Sequence, residues 1–157
     1  MNKWNVRLVG PEDPAFEKAF LLAQQNYKHF YDADLLKKPA NYLIYEEFSE
    51  GAKSSNVKSH VKACMSCTGA SQTQRLFSEI YLKNPVEEYI ASKPERERVM
   101  EIGSLASVGD PYSTKQLIRA STVLTFLQYK WEYSLITITP VVENILQTCQ
   151  ISYSKLE

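Results

Sequence analysis

The chain has 157 residues, enough for one hydrophobic core and little more. Eighteen Lys and Arg balance eighteen Asp and Glu, so no global field draws it to nucleic acid or an anionic membrane. Hydrophobic residues make up 44% and charged residues 23%, the balance of an ordinary globular domain. No apolar run approaches the roughly 20 residues of a bilayer span, and the opening MNKWNVRLVGPEDP does not read as a signal peptide. Three cysteines, an odd number, argue against a disulfide framework and for a reducing, cytoplasmic setting.

Lys3 to Val9 alternate, with Trp4, Val6 and Leu8 on one face, which predicts a first strand ended by Gly10 and Pro11. Asp13 and Pro14 then open a helix as cap and first-turn proline. Its buried stripe is expected to run through Phe16, Ala19, Phe20, Ala23, Tyr27, Phe30 and Tyr31. Asn41 to Phe48 and Ser59 to Thr68 read as two strands of an antiparallel hairpin, joined by the polar turn SEGAKSSN. Residues 70–95 contain Pro85 and cannot form one helix, so an ordered connection with short helical turns is expected.

The second half is more regular. Arg98 to Ser107 reads as a strand, VGDP as a turn, and Ser113 to Lys130 as a helix that faces Leu117, Ile118, Ser121, Leu124 and Leu127 inward. Tyr133 to Thr139 reads as a strand, and Thr139-Pro140 begins a helix lined by Val142, Ile145, Leu146 and Cys149. Strand, helix, strand, helix in this order predicts a parallel pair with a crossover. The fold class expected is therefore mixed α/β (α+β) in a single domain, with an antiparallel hairpin in the first half and one parallel unit in the second.

Ligands of such a unit gather where the strands end and the next helix begins. Gly109 would let a ligand approach the backbone, and Ser113, Thr114 and Lys115 could add donors for a phosphate. The same residues also fit an ordinary strand-to-helix turn capped by Asp110 or Ser113, and the charge of Asp110 opposes an anion. Glu101 stands among Val99, Met100, Ile102 and Leu105, either at a wet edge or in a cleft where it could act as a general base. Cys64 and Cys67 have a C-x-x-C spacing, but residues three apart on a strand point to opposite faces, so no metal site is expected. His29 and His60 lack a neighbouring nucleophile motif and read as structural or surface residues.

Four blocks, in order, resemble the thermostable hemolysin family. NYKHFYDADL resembles its Y-x-x-x-Y/F-x-A-x-L segment, and LFSEIYLKNPVEEYI its L-F-x-E-x-Y-L-x-x-P-(I/V)-E block. EIGSLAS is similar to its E-(V/I)-G-N-L-A-S strand, with Ser104 in place of the usual Asn. LITITPVVENIL is similar to its later strand and helix start. The resemblance implies a fold like that of the GNAT acyltransferases, a mixed, mostly antiparallel sheet flanked by helices, similar to acyl-homoserine-lactone and N-acyl amino acid synthases. The R/Q-x-x-G-x-G/A turn of ordinary GNAT enzymes is missing.

The resemblance also implies an acyl thioester, on coenzyme A or an acyl-carrier protein, between the strands of Glu101 and Thr139. Its pantetheine arm would bond the backbone of residues 102–106, with Ile102, Gly103, Ser104 and Leu105 as contacts. Its phosphate would lie at Val108, Gly109, Ser113, Thr114 and Lys115. Family members continue past the position of Glu157 with closing strands, so a sheet without them is expected, in a shortened chain or one lacking part of the acceptor side. An unpaired strand edge would then favour a homodimer.

Two functions compete. In the first, Glu101 or a water it holds deprotonates a small amine acceptor, which attacks the thioester. In the second, the protein is a non-catalytic interaction module or haemolysis-associated protein on the same fold.

Overall fold

The computed structural model describes residues 3–49 and 58–156. Five strands form one sheet in chain order: β1 (Lys3–Val9), β2 (Asn41–Ser49), β3 (Lys58–Gly69), β4 (Val99–Ser107) and β5 (Tyr133–Ile136). The first four pair antiparallel, and β4 and β5 pair parallel. The mixed, mostly antiparallel sheet expected from the sequence is therefore present. The predicted SEGAKSSN turn, apart from Ser49, lies outside the described residues.

Strand alternation divides the core in two. Tyr42 and Ile44 of β2 point to one face, where they meet Phe16, Ala19 and Ala23 of α1 (Pro14–Tyr31). Leu43 and Tyr45 point to the other, where they meet Leu117 of α2 (Pro111–Tyr129) and Trp131. The two cysteines follow the same rule. Cys64 packs with α1 and Cys67 with α2, and burial pushes each thiol up to about 12. On β1, Trp4 stacks on Tyr45 at 5.7 Å, on the same side as Val6 and Leu8.

Both long helices begin as their sequences dictate. Asp13 caps α1 by accepting from Ala15 N at 2.9 Å, and Arg7 bonds both Asp13 and Glu46, the latter at 2.7 Å. This ties the helix start to β1 and β2. Each helix ends in a left-handed residue, Asp32 (φ 47°) after α1 and Lys130 (φ 56°) after α2.

Three expectations are corrected. The buried stripe of α1 stops at Ala23, and Phe30 and Tyr31 are exposed, because the helix outruns the core cluster it packs against. Leu127 is 70% exposed rather than buried, while Thr125 is buried in its place. Both faces of α2 carry apolar side chains, so periodicity could not fix its rotation. Finally, β5 ends at Ile136, so Thr139 lies beyond the strand and caps α3 (Pro140–Thr148), accepting from Val142 N at 3.3 Å.

The connection expected over residues 70–95 is present and runs on to Arg98, with 3-10 turns at Ala70–Gln72, Ser78–Tyr81, Val86–Tyr89 and Arg96–Arg98. Leu76 and Val86 anchor it on Val99 and Leu135, covering the start of β4 and β5.

Candidate functional site on strand β4

β4 is an inner strand, so Glu101 does not sit at a sheet edge. Its backbone lies between Thr68 of β3 and Leu135 of β5. Each carboxylate oxygen accepts one backbone N–H from the connection: Oε2 from Phe77 and Oε1 from Ser78, both at 2.7 Å. The Ser78–Tyr81 turn has no side-chain cap of its own, and Glu101 supplies that role from another part of the chain.

Two residues further along, the strand is irregular. Ser66 of β3 pairs with Gly103 and Cys64 pairs with Ala106, so Ser104 and Leu105 together face the single residue Met65. This is a β-bulge in β4. Ser104 takes φ 45°, left-handed for a residue with a Cβ, which costs about 1–2 kcal/mol. An Asn tolerates this conformation better than a Ser. Gly103 packs close to β3, because a Cβ there would stand 3.1 Å from Ser66 Oγ. On its other side, β4 pairs with β5 only as far as Ile102 and Ile136. The segment Gly103–Ser107 therefore runs on without a described strand beside it, and its peptide groups on that side are released from the ladder.

The turn after β4 differs from an open anion cradle. Val108 N donates to Lys62 O at 2.9 Å, and Gly109 takes φ 85° with nothing within 4 Å of a built Cβ. Asp110 caps α2, accepting from Tyr112 N at 2.9 Å and Ser113 N at 3.1 Å. The Ser113 hydroxyl also donates to this carboxylate and, with the two amides, holds it below its ordinary range. Ser113 and Thr114 are buried, and the Thr114 hydroxyl reaches Asp110 O at 3.4 Å. Of the turn residues named from sequence, Val108 is held by Lys62 and Ser113 and Thr114 by Asp110, which leaves Gly109 and Lys115 with donor groups that neither holds.

Sequence reasoning passed over Glu79. It is 3% exposed and accepts from Leu76 N (2.6 Å), Val86 N (3.0 Å) and both terminal nitrogens of Arg96 (2.8 and 3.0 Å). The Arg96 fork holds its carboxyl down at about 2, against the cost of burial. In the sequence it stands between Leu76 and Val86 in LFSEIYLKNPVEEYI, where nothing in the local spacing sets it apart from Glu87 or Glu88. Nearby, Phe77, Ile80 and Tyr81 are exposed. His29 and His60 are exposed as well.

The fold and site thus define a mixed α/β protein whose distinguishing feature is a bulged inner strand bearing a tethered carboxylate. The sequence profile of the thermostable hemolysin family matches residues 9–157. The chain belongs to that family. Neither the curated proteins nor the solved structures hold a match to it. Among the described residues, no helix is long and apolar enough to cross a membrane.

Proposed function

We propose that this protein is a GNAT-like acyltransferase, moving an acyl group from an acyl-CoA or acyl-carrier-protein thioester to a small amine in the cytoplasm. The observation that best supports this is the end of β4–β5 pairing at Ile102, next to the bulge at Ser104. Peptide groups released there can bond an amide-bearing arm as a missing strand would. The contacts would come from Ile102, Gly103, Ser104 and Leu105, then Gly109 and Lys115 around the phosphate, with Thr139 on the opposite side; Val108, Ser113 and Thr114 would join only by exchanging Lys62 and Asp110 for the phosphate.

Chemically, the amine nitrogen attacks the thioester carbonyl, and a backbone N–H of β4 stabilises the oxyanion. The new C–N bond forms and the C–S bond breaks. The amine's proton goes to Glu101, which passes it to the leaving thiolate. Each oxygen of Glu101 already accepts one amide but keeps a second lone pair for this work.

A second reading has an observation in its favour. Asp110 occupies the start of α2 where a phosphate would sit, which suits a non-catalytic interaction module. Isothermal calorimetry with coenzyme A, acetyl-CoA and longer acyl thioesters separates the two. The acyltransferase reading expects binding that Glu101→Gln leaves largely intact while transfer to an amine falls. Absence of thioester binding by the folded protein would replace it with the interaction module.

A further inference from the structure

We propose that Glu79 and Arg96 are positioning residues for Glu101, acting through the turn of residues 76–79. The inference rests on the reading of Glu101 as the base, but the physical coupling it describes can be measured without any reaction.

The chain of contacts is continuous. Arg96 bonds Glu79 through both terminal nitrogens, and its Nε donates to Ala70 O at 3.0 Å. Glu79 accepts the amides of Leu76 and Val86, while Arg75 Nε donates back to Glu79 O at 3.1 Å. Leu76 and Glu79 are both buried and bracket Phe77 and Ser78. Fixing these two ends leaves the intervening peptides little freedom. Their N–H groups are the ones that meet Glu101.

A glutamate side chain has three rotatable torsions, and its carboxylate would otherwise sweep a wide arc. Two short charge-assisted bonds to a rigid turn hold it in one place. Val86, Glu87 and the turn belong to the same block that carries the family resemblance. Glu87 completes the arrangement, reaching Arg96 Nη1 at 3.0 Å.

Amide NMR of the whole chain tests the coupling. In the wild-type protein, the Phe77 and Ser78 amide protons should resonate far downfield and exchange slowly. Glu101→Gln turns one acceptor into a donor and should shift those two signals, leaving Leu76 and Val86 unchanged. Glu79→Gln should shift all four and speed exchange at Phe77 and Ser78 by about tenfold or more. Should Glu79→Gln fail to fold, Arg96→Lys is the second variant, since one ammonium cannot reproduce the two-pronged contact. It should give the same change in smaller measure.

Where transfer is measurable, Glu79→Gln should lower kcat by about tenfold to a hundredfold, with the thioester KM unchanged. Unaltered Phe77 and Ser78 signals in a folded Glu79→Gln or Arg96→Lys protein would overturn the coupling. Altered signals in a protein that binds no thioester would uphold the coupling and overturn the acyltransferase reading instead.

Discussion

At the scale of single residues, Glu79 and Glu101 are both carboxylates that accept backbone amides of the same turn, yet their surroundings differ. Glu79 is buried against Arg96, whereas Glu101 is half-buried with no cation among its bonded partners in the described residues. The folded-state value of Glu79, about 2, lies below its unfolded value of about 4.5. Its contribution to stability is therefore complete above pH 4.5 and is lost as pH falls from there toward 2. The linkage is of the order of 3 kcal/mol. Urea unfolding at pH 7 and pH 3 should show the wild-type protein losing stability that Glu79→Gln does not lose. Equal pH dependence in the two proteins would contradict this. Glu79→Gln should itself cost about 1–3 kcal/mol at neutral pH, because it weakens two charge-assisted bonds to Arg96 and leaves Glu87 as that guanidinium's remaining carboxylate partner among the described residues.

Glu101 was legible in the sequence because a lone carboxylate among Val, Met, Ile and Leu breaks the strand pattern. Its bonds to Phe77 and Ser78 were not, since they join residues more than twenty positions apart through a turn that periodicity cannot describe. The same limit hid Glu79. Nothing in the local spacing of LFSEIYLKNPVEEYI tells a buried Glu from the exposed Glu88.

At the scale of elements, β1, β2, β3 and β4 were legible to within a residue or so, because alternation and Gly or Pro punctuation agree. The rotation of α2 was legible only in part. Leu117 is fully buried and Leu127 largely exposed, although both stand at helical spacing from other apolar residues. Leu117→Ala should cost about 2–5 kcal/mol, whereas Leu127→Ala should stay within about 0.5 kcal/mol of wild type. Denaturant titration of both variants checks the assignment, and a large cost at Leu127 would show that its face is covered in solution. The bulge at Ser104 could not be read from composition, since it depends on the register with β3. Ser104→Asn should hold or raise stability, because Asn tolerates the left-handed conformation. A marked loss in melting temperature would contradict that account.

At the scale of the whole molecule, β5 is the last strand of the sheet and has a described partner only on its β4 side. Val123, Phe126 and Leu127 expose apolar surface on the preceding helix. An unpaired edge is a template for another strand, so we propose that this chain dimerises. Light scattering across a range of concentrations should show the dimer, and a strictly monomeric protein at high concentration would contradict it.

The central claim is that the released segment of β4 and the turn after it hold an acyl thioester, and calorimetry with a series of acyl-CoA compounds tests it most directly. The account predicts saturable binding that weakens with added salt, because part of the attraction is to phosphate. It also predicts weaker binding in Gly109→Val, whose side chain meets open space but whose backbone cannot hold φ 85° without strain. Asp110→Asn, which keeps a capping oxygen and removes the opposing charge, should bind more tightly than wild type. No heat of binding from any acyl-CoA, with wild type and Asp110→Asn both folded, would contradict the claim.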